Sequence, residues 1–500
     1  MRVEQSYVLG ERSLSTDGIA SAMSAKLLSS VNTDTEFSLC TVQLPENKKA
    51  KASGGVSFKD ARLLDKDSGG ALFTRDAKFV EFEGDVYRVK NPFYSNYVAA
   101  EEVIMGSLFR MLGLGAPAML LCNGCEDFFS FGKKTRADFS EFSDVSGFAC
   151  VASQLEPSYK DLGAFLLDTS VMERLIVKAE THTSSFVQEE KLQSYKKLVE
   201  THEAADSRLN DIYTKYPGNS HRNLPGVLAE VRKENRIKFD VLEALNKYLP
   251  TELVVEQQKH FFASRLINNW DFLNFSFCNF GYFLPEGNEE LQFKGMTVDF
   301  GGSGTLGFGG LSKNESFDRA IKGARPENPL ESTSLFERSD STFASELPRS
   351  LAGISTIPRS RPLLSTITDF VKQEAELYET KGLPLFEKSF SPALEVAYRL
   401  SVLPDEAVEK FLAEKWVMGA ADFPYRDNDE KNNINSAKIT AIMKGRKEAF
   451  VGYFGVEVIR RWEQQNILQA AQIRSEVETG LIGLIEGYKI KPLSIQSQSI

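Results

Sequence analysis

The chain has 500 residues, of which 42% are apolar and 11% aromatic, enough for packed cores in two or three domains. A formal charge of −10 argues against a protein devoted to holding nucleic acid or anionic lipid, and five cysteines form no disulfide framework, which favours a reducing compartment. The longest apolar runs, such as 116–122, are far too short to span a bilayer, and no apolar stretch near Met1 reads as a cleaved export signal.

Residues 1–59 are rich in Ser, Thr, Lys and Gly without sustained periodicity, and read as a flexible tail ending in the linker KKAKASGG. An uncleaved export or targeting segment is the alternative. From Asp60 the pattern changes to short β-type runs separated by turns (ARLLD, DSGGALFTRD, KFVEFEGDVYRVKNP), which predicts successive antiparallel strands. Ser68, Gly69 and Gly70 lie between two of these runs, where bare backbone N–H groups could approach phosphate oxygens. The strand 86–90 ends on Lys90, and the following AAEEVIMGSLFRMLG predicts a helix with Val103, Leu108, Met111 and Leu112 on one face and Gly113 as its stop. A strand lysine followed by a helix glutamate is the ion pair that holds ATP phosphates in kinase-like sites, with Glu102 the first choice of partner and Glu101 the alternative.

Two further buried strands are expected at 116–121 and 147–155, the second leading into a hinge where Phe148 to Gln154 would line an adenine pocket. Cys122 and Cys125 form a lone CNGC, which reads as a buried turn in preference to half a zinc site. Residues 169–248 are highly charged with helical period and break at Tyr216-Pro217-Gly218-Asn219, predicting an antiparallel helical hairpin inserted between two lobes. His182, His202 and His221 are spread over it and are expected to be solvated.

The stretch 261–310 carries the chemistry. An amphipathic helix over 256–270, with Phe262, Leu266, Ile267 and Trp270 towards the core, delivers Asp271 to a loop. Asn274 and Asn279 follow, then a strand FGYFL, a turn at 285–288 and a hairpin partner LQFKGMTVD ending at Asp299, before Phe300 and Gly301. Phosphoryl transfer needs close placement of metal-bridged phosphates and one hydroxyl; an Asp near the acceptor, an Asn downstream and an Asp before Phe-Gly supply that set. Residues 301–362 are rich in Gly, Ser and Pro, fitting an activation segment or a disordered linker, and 363–488 are helical with core-type stripes.

These pieces, in the order GGA hairpin, YRVK, AAEEV…LFRMLGLGAP, NNWD…N and VDFGGS, resemble the bacterial protein-kinase-like group related to the HipA toxin kinases and phosphatidylinositol 3/4-kinases. The likeness covers roughly 60–155 and 261–310, with a weaker echo at 434–450. It implies an α+β, bilobal kinase-like fold: a tail over 1–59, a small β-rich N-lobe over 60–165, a helical insertion over 166–250 and a larger, mostly helical C-lobe over 251–500. It further implies that Ser68, Gly69, Gly70, Lys90 and Glu102 bind ATP, that Asp271 is catalytic, and that Asn279 or Asn274, with Asp299, binds Mg²⁺ or Mn²⁺. The expected function is phosphoryl transfer from ATP to a protein, with a lipid or small polyol as lesser acceptors; AMP transfer on the same fold and an inactive pseudokinase scaffold that binds a partner protein are the alternatives. Three departures bear on this. The Asp271–Asn279 spacing is longer than in ordinary protein kinases, residue 278 is Cys where relatives often have Asp, and the uncharged TLGFGG follows GGS where an Arg is common. The expected partners are a nucleotide and a protein, with no nucleic acid and no membrane span, either in the cytoplasm or, for a secreted bacterial effector, in a host cytosol.

Overall fold

The computed structural model describes residues 56–58, 60–64, 77–90, 96–123, 150–179, 185–216, 225–267, 269, 277–285, 291–300, 390–409, 443–445, 447–448, 450–452 and 454–485. These form a mixed α+β structure with two small sheets and a larger helical part. The first sheet joins β1 (Val56–Ser57), β2 (Arg62–Leu64), β3 (Lys78–Phe82), β4 (Asp85–Lys90), β5 (Met119–Asn123) and β6 (Cys150–Gln154) in the order β1-β5-β6-β4-β3-β2. All its pairings are antiparallel except β1 with β5. The sheet thus starts inside the stretch expected to be a flexible tail. Val56 and Ser57 pair alongside Cys122 and Asn123, and the neighbouring Phe58 is fully buried.

Local chemistry explains the two turns that matter most. Between β3 and β4, Glu83 and Gly84 both have positive φ (53° and 89°), the two-residue turn whose twist matches a hairpin. The helix α1 (Asn96–Met111) stops where expected, at Gly113 (φ 68°). There Leu114 N donates to Phe109 O (3.0 Å) and Gly113 N to Arg110 O (2.9 Å), a glycine-dependent helix ending. The expected single apolar face of α1 is too narrow a description, because every residue from Glu102 to Phe109 is buried. The helix runs through the core and does not lie on its surface.

On β4 the alternation of burial sends Tyr87 and Val89 into a small core with Phe58, Val80, Cys150 and Ala152. Lys90 belongs to the opposite face, in register with Val151, and Val151 lies in the main core together with α1. That main core continues through α2 (Leu162–Leu167), α3 (Thr169–Ala179), α6 (Thr251–Leu266), α7 (Phe390–Val402), α8 (Val456–Gln465) and α9 (Ile467–Ile485). The described residues therefore share one large core across the expected boundary between lobes, with a small core on the other face of the sheet and a third cluster at Leu209, Val227 and Val231.

The hairpin expected over 169–248 is present as α4 (Ser185–Lys215) against α5 (Pro225–Asn246). Tyr195, on α4, anchors it by donating its hydroxyl to Leu166 O at 3.0 Å. His202 corrects the expectation of solvated histidines. It is buried between the two helices, and burial, followed by nearby Lys238, holds its pKa below the ordinary value. His182 and His221 lie outside the described residues.

The second sheet, β7 (Lys160–Asp161), β8 (Phe280–Phe283) and β9 (Lys294–Thr297), is antiparallel, and its β8–β9 pairing is the hairpin read from the sequence. It seats directly on the segment after α1: Thr297 N donates to Gly115 O at 3.0 Å, and any Cβ on Gly115 would fall 2.0 Å from Gly295 O. No helix among the described residues is long and apolar enough to cross a membrane.

Candidate active site

Three elements converge on Lys90. Its Nζ lies 2.5 Å from Glu102 Oε1 of α1 and 2.8 Å from Asp299 Oδ1, two residues beyond β9. The Glu102 side chain is 1% exposed, against 14% for Lys90 and 16% for Asp299, so the group is closed behind Glu102 and open on the Asp299 side. Both contacts are ion pairs, and the Lys90 Nζ–H donates a hydrogen bond to Asp299 Oδ1.

One ammonium thus serves two carboxylates. Burial alone would push Lys90 towards neutrality, but Asp299 and Glu102 outweigh it and keep the pKa above the ordinary lysine value. Burial raises the Glu102 pKa despite Lys90, and the nearby Asp299 adds to the rise. The arrangement is electron-rich and mostly buried, a setting in which an added cation would offset the surplus negative charge.

Each side chain is held from behind. Gly106 lets α1 approach β5 and residue 300: a Cβ there would lie 2.3 Å from Met119 Sδ and 3.2 Å from the Phe300 ring. Phe300 is buried and meets Phe109 edge-on at 5.1 Å. Asn269 donates from Nδ2 to Asp299 O at 3.0 Å, fixing the backbone of that residue. Asn279 sits beside this turn because Val298 N donates to its carbonyl at 3.0 Å. Its side-chain oxygen accepts from Cys278 Sγ at 3.5 Å. The chain reaches Asn279 through Phe277, whose φ of 53° is a costly conformation for a side chain of that size. Full burial of the Phe277 ring and the 3.2 Å bond from Gly163 N to Phe277 O hold it there.

The structure therefore brings together Lys90, Glu102 and Asp299, and sets Asn279 next to the residue preceding Asp299. Glu102, the first choice, is a partner of Lys90; the side chain of the alternative, Glu101, lies outside the described residues. Ser68, Gly69, Gly70, Asp271 and Asn274 lie outside the described residues, as do Phe148, Trp270 and Cys125.

Sequence reading missed Asn269 and Tyr159. Asn269 stands inside the quoted NNWD but had no assigned role, although an amide two residues before an Asp is a natural backbone clamp. The Tyr159 hydroxyl is buried, and burial, then Asp161 and Cys278, with Asp299 further down, push its pKa well above the ordinary phenol value. Nothing in its local sequence (EPSYKD) marks it, because its neighbours come from the distant segment around 278–299.

Sequence reading also missed what lies under the site. The helix expected to be amphipathic over 256–270 ends at Leu266 and buries polar residues as well as apolar ones: Gln257, Gln258, His260 and Ser264 are all inside. His260 Nδ1 lies 2.8 Å from Thr297 Oγ1, and its ring packs against Phe280 at 5.1 Å. Burial pushes its pKa down to about 4, with Glu256 opposing and Lys259 assisting. The sign follows: the folded pKa is below the unfolded value near 6.5, so the unfolded chain takes up the proton first and stability is lost as pH falls below 6.5. Between pH 7 and pH 5 this one group removes about 2 kcal/mol. Urea midpoints across that range should fall for the natural chain and fall less for His260→Gln; equal slopes would refute the assignment.

Comparison with known protein families, with curated proteins and with solved structures finds no match to this chain.

Proposed function

We propose that the chain is an ATP- and divalent-cation-dependent phosphotransferase with a kinase-like arrangement of two lobes, acting on a protein acceptor. The observation that carries this reading is the meeting of Glu102, Lys90 and Asp299 from a helix, a sheet strand and the end of a separate hairpin. Few purely structural needs explain a largely buried ammonium held between two carboxylates from such distant segments, since buried ion pairs contribute little to stability.

The residues present fit the implied ligands. The Asp299 carboxylate and the Asn279 amide oxygen are hard oxygen donors of the kind Mg²⁺ takes, and they stand on neighbouring strand ends, where Val298 N donates to Asn279 O. When bound, the metal supplies neutralisation of charge on the phosphates. Lys90 contributes a fixed positive charge that needs no reorganisation as charge develops on the transferred group, and Glu102 holds that charge in place. Asp271, from the sequence reading, would orient or deprotonate the acceptor hydroxyl.

The test is label transfer from γ-labelled and α-labelled ATP, with Mg²⁺ or Mn²⁺, to the purified protein and to a cell lysate, comparing the natural chain with Asp271→Ala and Asp299→Ala. Transfer of the γ label alone, lost in both variants, is the expected result. Transfer of the α label would replace the proposal with AMP transfer. No label and no ATP-induced thermal shift would leave a scaffold that binds a partner protein.

A further inference from the structure

The C-terminal end of α1 is gripped by elements almost three hundred residues away. Arg399 of α7 donates from Nη1 to Leu112 O at 2.8 Å and to Gly113 O at 3.5 Å. These are carbonyls at the negative end of the helix, where a cation is favoured. The same guanidinium is braced from behind by Glu395 Oε1 (2.8 Å from Nη2, 3.1 Å from Nε) and by Glu476 Oε2 of α9 (2.8 Å from Nη2). Lys259 of α6 joins Glu395 at 3.3 Å, which ties the clamp to the helix beneath the site.

Helix α9 also touches the backbone of α1. A Cβ on Gly480 would lie 2.0 Å from Arg110 O, and one on Gly113 would lie 2.7 Å from Glu476 Cβ. Ten residues separate Glu102 from Leu112, about 15 Å along a helix. Because every residue of that stretch but Arg110 is buried, it has little room to bend, so a displacement at Leu112 is carried towards Glu102.

We infer that Arg399 is a positioning residue: held by Glu395 and Glu476, it sets the axial position of α1 and thereby the placement of Glu102 on Lys90. The catalytic consequence rests on the phosphotransferase reading. The positional claim does not, and it is tested separately.

Native-state hydrogen exchange on the full chain, read on the α1 amides around Glu102, tests the position. Arg399→Met should raise exchange there by about fivefold or more, and Arg399→Lys should restore much of the protection. Since Arg399→Met takes the guanidinium from buried Glu395 and partly buried Glu476 and can unfold the protein, Gly480→Ala is the second variant. It keeps every charge and wedges α9 away from Arg110 O, and it too should raise exchange around Glu102. Unchanged protection around Glu102 in the folded variants overturns the inference. The catalytic half is a cycle in kcat/KM for MgATP: Gly480→Ala should lower it in the natural background and change it little where Glu102→Gln is already present. Additive losses overturn the claim that the clamp acts through Glu102. A natural chain that transfers no label defeats the phosphotransferase reading and leaves the exchange result to decide the clamp.

Discussion

Asp299→Asn abolishes γ-label transfer, with a loss of at least about 10²–10³-fold, while the protein stays folded. The two halves of this expectation have different causes. Asparagine preserves the shape of the side chain, and the backbone bond from Asn269 Nδ2 to Asp299 O does not depend on the carboxylate. What disappears is one of two negative charges sharing a single ammonium, so Lys90 is left paired with Glu102 alone. Folding stability should therefore hold or rise, while the charge that would hold the cation is gone. Thermal midpoint and label transfer measured on the same preparation separate these effects. Full transfer by the variant would remove Asp299 from the chemistry; collapse of the fold would make it a structural residue first.

Lys90→Met has the larger cost. It leaves the Glu102 carboxylate, 1% exposed, facing Asp299 with no cation between them, and breaking a buried pair in this way costs about 3–5 kcal/mol. The pH dependence identifies the culprit. The folded pKa of Glu102 is already raised, chiefly by burial, so the folded protein holds the proton more tightly than the unfolded chain. Stability from this group is fully present below the ordinary glutamate value and is lost as pH rises through the folded one. Removing Lys90 enlarges that loss. The urea midpoint of Lys90→Met should thus lie closer to that of the natural chain at pH 5 than at pH 8. Adding Glu102→Gln should recover stability without recovering transfer. A pH-independent deficit would show that lost packing, not the stranded carboxylate, explains the variant.

Much of this was legible in the chain because it is local. A strand alternation ending in Lys90 and a helix stopped by Gly113 are written in consecutive residues, and the structure places both where the pattern puts them. The pairing of Lys90 with Glu102 follows from a short strand-to-helix connection, the helix starting at Asn96. The burial of α1 and α6 was not legible. Periodicity suggests one apolar face, but Glu102, Ser107, Gln257, His260 and Ser264 are inside: Glu102 meets Lys90, His260 meets Thr297 from the second sheet, and Ser107 donates back to Val103 O of its own helix. The Arg399 clamp was hidden for the same reason: its partners at Leu112 and Glu476 are 287 residues before it and 77 after it. His202 reads as surface because its stretch is charged, yet it is buried where α5 packs on α4, near the ion pair of Lys238 with Asp206. Ser68, Gly69, Gly70, Asp271 and Asn274 stand on sequence alone.

The α4–α5 hairpin divides its own support. Its root, at Tyr195, Phe239 and Leu245, belongs to the main core, whereas Leu209, Val227 and Val231 near the tip make a separate cluster. With 31 residues α4 is about 46 Å long, so most of the arm projects beyond its anchorage. Reach and anchorage are thereby decoupled. Removing or adding seven residues in each helix beyond the root would change the span by about 10 Å and preserve the facing of every remaining side chain. The arm can vary in length over evolutionary time as a ruler does, without any change to what it is fastened to.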